Sequence, residues 1–168
     1  MNYKFRTLEA SEIDCRVNQI NEKGLTLLLY KDARCDMNIL DETVGSLNWK
    51  REHTRDNANC IVSIWDDEKK EWISKEDTGT ESNTEKEKGL ASDSFKRACV
   101  NWGIGRELYT SPYIYIPADK CNIVTNYKGK CTTYDKFYVE AIKYNETREI
   151  IALAIKNNRH ERVFVWQR

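Results

Sequence analysis

Residues 85–109, EKEKGLASDSFKRACVNWGIGRELY, constrain the fold most, because they combine a long helical pattern with two adjacent cations. Their apolar side chains recur at the spacing of a buried helical stripe, with Leu90 near its edge: Ala91, Phe95, Ala98, Cys99 and Trp102. Thr84 is a candidate N-cap residue. At about 100° per residue, Lys96 and Arg97 are expected to lie opposite the stripe, close to Asp93. The pattern predicts a long central helix that is docked on a core and holds both cations outward.

The chain of 168 residues is long enough for one domain with a substantial core, so residues 1–168 are expected to form a single domain. Its 27 basic and 27 acidic residues cancel, which excludes a global positive field. Any anion-binding surface must therefore be local. With no apolar run of about 18 residues and no signal-like N-terminus, the chain is expected to be soluble and cytoplasmic, with no membrane partner.

The six cysteines do not have the spacing of a metal site. No CxxC pair occurs, and His53 and His160 lie far apart without a second ligand nearby. Cys99 falls on the apolar stripe, where a reduced cysteine behaves as a small hydrophobe, and this favours a reducing compartment. We expect neither a metal nor another cofactor.

The remaining pattern predicts an α+β fold. Ile13, Val17 and Ile20 recur at i, i+4 and i+7, which is typical of a first helix. In residues 31–45, Met37, Leu40 and Val44 predict a second helix, with Arg34 just before it. Period-two segments predict strands, and residues 118–136 are expected to be an irregular loop. The predicted strands are 25–30, three strands within 47–76, and a C-terminal meander over 136–168, which is expected to turn at 145–148 and 157–160. We therefore expect an antiparallel β-meander packed on a long central helix, with two N-terminal helices, a C-terminal β-meander and assembly into a ring-forming oligomer.

No catalytic constellation emerges from the residues. A metal-dependent nuclease needs carboxylates on adjoining strands, whereas Asp66, Asp67 and Glu68 cluster in a predicted turn. The GIG at 103–105 follows a helix and lacks the third glycine of a dinucleotide loop. The chain is therefore predicted not to be an enzyme, with a nuclease as a distant alternative.

Two cationic pairs are candidates for binding phosphate. Lys96 and Arg97 could hold a nucleic-acid backbone, or they could form ordinary surface ion pairs with Asp93. Lys50 and Arg51 alternate with aromatic residues in Trp49–His53, but Trp49 could equally belong to the core and Lys50 to the solvent.

Two segments resemble a known family. Residues 79–109, GTESNTEKEKGLASDSFKRACVNWGIGRELY, and residues 33–53, ARCDMNILDETVGSLNWKREH, are similar to the central segment and to the helix and first strand of the Rad-fifty-two superfamily of single-strand annealing proteins. The resemblance is to its phage and bacterial branch. It spans about residues 8–116, which would form the core of the domain.

This resemblance implies a recombinase that binds single-stranded DNA and anneals complementary strands without ATP, in homologous recombination and DNA repair. The implied assembly is a homo-oligomer, either a ring or a helical filament, in the cytoplasm of a bacterial cell or a phage-infected host. The implied DNA-binding residues are Lys96, Arg97 and Arg34, to which the basic strand adds Lys50 and Arg51. A second site for double-stranded DNA stays open, with Lys75, Lys86 and Lys88 as candidates and ordinary surface lysines as the alternative. The alternative function is a protein-interaction or assembly module without annealing activity.

Overall fold

The computed structural model of the chain describes residues 2–81 and 86–168, except for the side chains of residues 86–88. The predicted N-cap Thr84 lies outside these residues. The helices are α1 (Ala33–Val44) and α2 (Lys86–Asn101). The strands are β1 (Asp14–Asn21), β2 (Gly24–Tyr30), β3 (Trp49–Thr54), β4 (Asn59–Asp66), β5 (Glu71–Thr78), β6 (Ile114–Pro117), β7 (Val124–Thr125), β8 (Cys131–Thr132), β9 (Phe137–Tyr144), β10 (Ile150–Asn157) and β11 (Arg162–Gln167).

The chain divides into two compact units. The first unit contains residues 1–7 and 32–106, and the second contains residues 8–31 and 107–168. The expectation of a single domain stays a prediction.

In the first unit, α2 packs on one face of an antiparallel sheet with the strand order β3-β4-β5. Side chains of a strand alternate between the two faces, and every second residue of β4 is buried toward the helix: Cys60, Val62 and Ile64. Helix α1 also contacts α2. The second predicted helix, the three-stranded meander and the helical pattern that includes Phe95 are therefore confirmed.

In the second unit, six antiparallel strands follow the order β11-β10-β9-β1-β2-β6. The end strands β11 and β6 approach each other, so the sheet forms a nearly closed barrel. Its core consists of alternating apolar side chains from these strands, including Leu25, Leu27, Ile116, Val139, Leu153 and Ile155. The predicted C-terminal meander is present as β9, β10 and β11, and it forms half of the barrel.

The prediction of a first helix at Ile13 to Ile20 is wrong, because this segment is strand β1. In β1, Val17 pairs with Leu27 and Ile20 pairs with Leu25, and the register shifts between Val17 and Gln19. Asn18 is the extra residue of a β-bulge, which brings two positions three residues apart onto one face. The resulting spacing of four and then three is the spacing of a helix, and it conceals a strand.

The predicted fold class is wrong in its proportions of helix and sheet and in their arrangement. The molecule is mostly sheet, with a nearly closed barrel and two helices among the described residues, and not a meander on a long central helix preceded by two N-terminal helices. Assembly into a ring-forming oligomer stays a prediction. The predicted loop at 118–136 also contains the small hairpin β7–β8.

Three hairpins of the second unit have the same type of turn. In each, an Asn accepts backbone N–H groups with its side-chain oxygen, and the residue three positions later has a positive φ. Asn126, Asn145 and Asn157 begin these turns, and the positive-φ residues are Gly129, Arg148 and His160. Asn side chains favour such turns because they replace a backbone acceptor, so the predicted turns at 145–148 and 157–160 are confirmed.

Candidate nucleic-acid interface

Helix α2 is held on the sheet by close packing and by side-chain hydrogen bonds. The Phe95 ring is fully buried and stacks on Trp49 of β3, with 6.0 Å between ring centroids. Just after the last residue of the helix, Trp102 Nε1 donates a hydrogen bond to the Val62 carbonyl over 3.0 Å. A Cβ on Gly79 would lie 2.5 Å from the backbone nitrogen of Ser94, so the chain after β5 approaches α2 more closely than other residues allow. These contacts fix the rotation of the helix.

The fixed rotation separates the two cations that sequence placed together. Arg97 is exposed, and its Nε lies 3.5 Å from Oδ1 of Asp77 on β5. Lys96 is only 7% exposed, so the expectation that it faces outward is wrong. Because α2 packs against α1 as well as against the sheet, more of its circumference is buried than the apolar stripe alone indicates. Asp93 accepts a hydrogen bond from the Thr80 backbone N–H over 2.8 Å.

Strand β3 directs Lys50 and Arg51 to opposite faces of the sheet, as its alternation requires. Arg51 lies on the helix side, with its Cζ 4.6 Å from the centroid of the Phe95 ring. Lys50 lies on the other side, with its Nζ 4.8 Å from the centroid of the Trp72 ring and 3.7 Å from Glu52. The structure therefore brings Arg51, and not Lys50, to the face on which α2 packs.

Arg34 is predicted to lie just before the second helix, but it lies in the first turn of α1 and is largely exposed. Its guanidinium Nη2 is 3.3 Å from Asp32, the N-cap residue, whose side chain also accepts from the backbone N–H groups of Arg34 and Cys35. Partial burial acts to raise the pKa of Asp32, but these backbone hydrogen bonds and the Arg34 charge outweigh it and lower the pKa. The observed contacts of Arg34 are those of a helix cap.

Two further cations lie at the C-terminal end of α2. Lys75 Nζ donates to the Asn101 carbonyl over 2.9 Å and lies 4.7 Å from the Trp102 ring centroid. Arg106 Nη2 donates to the same carbonyl over 3.0 Å, and its Nε donates to the Val100 carbonyl over 2.9 Å. Basic side chains are stabilised there because the last carbonyls of a helix lack intrahelical donors and carry its negative dipole end.

Arg97, Lys75 and Arg106 together form what we call the α2 cationic strip. Arg97 precedes Asn101 by four residues, or about 6 Å of helical rise. Lys75 and Asp77 are two residues apart on β5, on the same face of the sheet. The strip is therefore a local group of three cations on the β5 side of α2. Sequence reasoning missed Arg106, although its place just after the glycines that end the helix is a recognisable signal for a cation at a helix C-terminus.

The contact between Ser94 and His53 is structural. Ser94 Oγ donates to the Asn57 carbonyl over 2.9 Å and lies 3.4 Å from His53 Nδ1. The hydroxyl is fully buried, so it is not placed to attack a substrate. Burial, and secondly the Arg51 charge, lower the pKa of His53. The pair joins α2 to the turn between β3 and β4.

The six cysteines are free thiols. Burial raises the pKa of Cys60 to about 11 and that of Cys15 to about 12, so these two thiols stay protonated and unreactive at neutral pH. In the part of the chain that the structure describes, no three His, Cys, Asp or Glu side chains are grouped to hold a metal ion. Neither α1 nor α2 has both the length and the apolar character needed to cross a bilayer, and no other helix in the described ranges does.

Comparisons with protein-family models, curated proteins and solved structures found no match for this chain. The likeness to annealing proteins therefore rests on the two sequence segments quoted above.

Proposed function

We propose that this chain binds single-stranded DNA and anneals complementary strands without ATP, in homologous recombination or DNA repair. In this proposal it belongs to the phage and bacterial branch of the Rad-fifty-two superfamily and acts as a homo-oligomer. The proposed location is the cytoplasm of a bacterial cell or a phage-infected host, and no cofactor takes part.

The observation that supports this proposal most is the α2 cationic strip. Lys75 and Arg106 both donate to the Asn101 carbonyl, and Arg97, which is 46% exposed, lies four residues before Asn101 on the helix. Such a group can contact successive phosphates of a single strand, and each contact contributes about 0.7 to the salt dependence of binding. Contacts to phosphates leave the base edges free, which pairing with a second strand requires.

The near-zero net charge of the chain is compatible with this function. A homo-oligomer repeats the strip in every subunit, so a bound strand meets many cations although each chain contributes few. The order of α1, three strands and α2 also follows the order of the two segments that carry the family resemblance. This agreement supports the proposal for residues 33–101.

The test is duplex formation between labelled complementary oligonucleotides, with wild type and with Arg97→Ala. We expect wild type to accelerate annealing and Arg97→Ala to slow it several-fold, with a salt slope lower by about 0.7. Arg97→Lys keeps the charge and should retain most of the activity. Lys70→Ala is the matched control, because it removes one exposed cation that pairs with Asp67 in the β4–β5 turn, away from the strip. Lys96 is a poorer test, since substituting a buried residue can unfold the unit.

Two results would overturn the proposal. No annealing by folded wild type contradicts the function. Equal annealing by wild type and by a folded Arg97→Ala variant contradicts the assignment of the strip. Circular dichroism melts of each variant show whether it is folded.

A protein-interaction module is the second candidate, and exposed apolar side chains favour it. Leu28, Tyr109 and Tyr113 are exposed around a cavity of about 440 Å³ in the second unit. Exposed apolar patches often mark interaction sites. Wild type that forms oligomers but binds no DNA would support this function, and Leu28→Ser should then weaken the assembly.

A further inference from the structure

The hairpin β7–β8 ends in a turn whose backbone is held in one conformation. The Asn126 backbone N–H donates to the Lys130 carbonyl over 2.8 Å, and the Gly129 N–H donates to the Asn126 carbonyl over 2.9 Å. The Asn126 side-chain oxygen accepts from the N–H groups of Lys128 and Lys130 over 2.9 and 3.0 Å. Gly129 has φ +75°, which a glycine adopts without strain. The tip is therefore ordered by its own hydrogen bonds.

This ordered tip presents an aromatic ring to the solvent. Tyr127 is 93% exposed, so most of its ring surface faces the solvent. Lys128 Nζ lies 5.5 Å from the ring centroid. Residues 122–134 contain Lys128 and Lys130 but no Asp or Glu. The tip combines a free aromatic face with two positive charges and no acid in the same segment.

Such a combination matches the chemistry of single-stranded nucleic acid. Bases stack on exposed aromatic rings whatever their sequence, and lysines beside the ring attract the flanking phosphates. A turn that is already ordered loses little conformational entropy when it binds. The absence of acidic residues from 122–134 favours an anionic partner over a mixed-charge protein surface.

The residues around β7 and β8 favour binding of an anion at the hairpin tip rather than beside the strands. Glu22 and Asp135 line a cavity of about 630 Å³ beside β7 and β8, where carboxylates disfavour phosphate. Asp135 is engaged there by Arg159, whose Nη1 lies 3.0 Å from Asp135 Oδ1. The tip is therefore the part of the hairpin suited to an anion.

We propose that the β7–β8 tip is a separate contact for single-stranded DNA, in which Tyr127 stacks on a base while Lys128 and Lys130 hold the adjoining phosphates. The identity of the ligand rests on the proposed function, but the residues belong to the second unit and differ from the α2 cationic strip. Stacking would hold individual bases, whereas the strip contacts only the backbone.

The test measures binding of the full chain to a dT20 oligonucleotide that carries one central 2-aminopurine, whose fluorescence reports stacking. Tyr127→Ala should weaken binding about 5-fold or more and abolish the stacking signal, while Tyr127→Phe retains both. Lys128→Ala/Lys130→Ala should lower the salt slope by about 1.4. The matched controls are Tyr134→Ala, a tyrosine that is 81% exposed beside Asp135 and away from the tip, and Lys23→Ala/Lys143→Ala, two exposed lysines of the same unit.

The outcomes separate this inference from the proposed function. Annealing and dT20 binding that are normal in the Tyr127 and lysine variants would overturn the hairpin site and leave the function standing. Binding that depends on Tyr127, in a wild type that does not anneal, would support the site and contradict the function. A wild type that does not bind dT20 would overturn both.

Discussion

Arg97 and Asp77 form an ion pair that connects α2 to β5 at an exposed position, with 3.5 Å between Nε and Oδ1. The Arg97 side chain is 46% exposed and is a candidate for a phosphate contact. The Asp77 carboxylate therefore competes with DNA for Arg97. Substituting Asp77 should raise the affinity for DNA by a measurable amount.

Asp77→Asn should increase affinity for single-stranded DNA. The amide keeps an oxygen to accept the hydrogen bond that the Thr78 N–H donates to Asp77 Oδ1 over 2.7 Å, but it no longer neutralises Arg97. An exposed ion pair contributes about 0.2–1 kcal/mol, so the dissociation constant should fall by up to about 5-fold. Fluorescence anisotropy at low salt measures this change. Glu71→Gln removes the same charge at the other end of β5 and should have a smaller effect, so equal gains from both variants would contradict a specific role for Asp77.

The free energy of unfolding should decrease when the pH is lowered and His53 becomes protonated. Burial and the Arg51 charge lower the pKa of His53 below its ordinary value of 6.5, so the unfolded chain binds the proton more readily than the folded chain. The free energy of unfolding should therefore decrease as pH falls through 6.5 toward the lowered pKa, and it should be fully recovered above 7. Urea denaturation between pH 5.5 and 7.5 measures the slope. His53→Gln should flatten the slope, and an unchanged slope in this variant would contradict its assignment to His53.

Glu107 should be essential for the stability of the second unit. It is 1% exposed, accepts from the Leu8 backbone N–H over 2.7 Å, and pairs with Arg148 Nη2 over 3.1 Å. Glu107→Ala leaves a partly buried guanidinium and a backbone donor without this acceptor, so it should destabilise by about 3–5 kcal/mol. Glu107→Gln keeps an acceptor and should cost less. Chemical denaturation gives both values, and similar losses in the two variants would show that charge alone matters.

Gly79→Ala should loosen the packing of α2 on the sheet. The new Cβ would lie 2.5 Å from the Ser94 nitrogen and 2.9 Å from its Cα, and both are backbone atoms that cannot rotate away. Overpacking of this kind costs about 1–3 kcal/mol. Gly129→Ala is the comparison, because it introduces backbone strain without overpacking. The φ of Gly129 is +75°, but no atom lies within 4 Å of the new Cβ. If Gly79→Ala melts at the wild-type temperature, the close approach of the two segments is not important for stability.

The first unit was largely predictable from sequence because its patterns are local. The period of two around Val62 and the helical stripe through Phe95 each require one buried face, and the structure buries both. Lys96 was misplaced for a different reason. Helical periodicity identifies the most apolar face, but it does not show that a second helix packs against another part of the same surface.

The second unit was harder to predict because its strands pair over long sequence distances. A bulge at Asn18 made β1 look helical, and the neighbours of β1 are β2 and the distant β9. The α2 cationic strip was hard to predict for the same reason, because its residues are distant in sequence. Lys75 and Arg106 are 31 residues apart in sequence, and only the end of α2 brings both to the Asn101 carbonyl.

The near closure of the barrel restricts how another chain can attach to the second unit. An exposed edge strand offers a row of unpaired backbone groups to which a foreign strand can add. Here the two end strands approach each other, and β6 is only four residues long. Copies of this chain that associate through the second unit should therefore recognise one another by side chains rather than by extending the sheet.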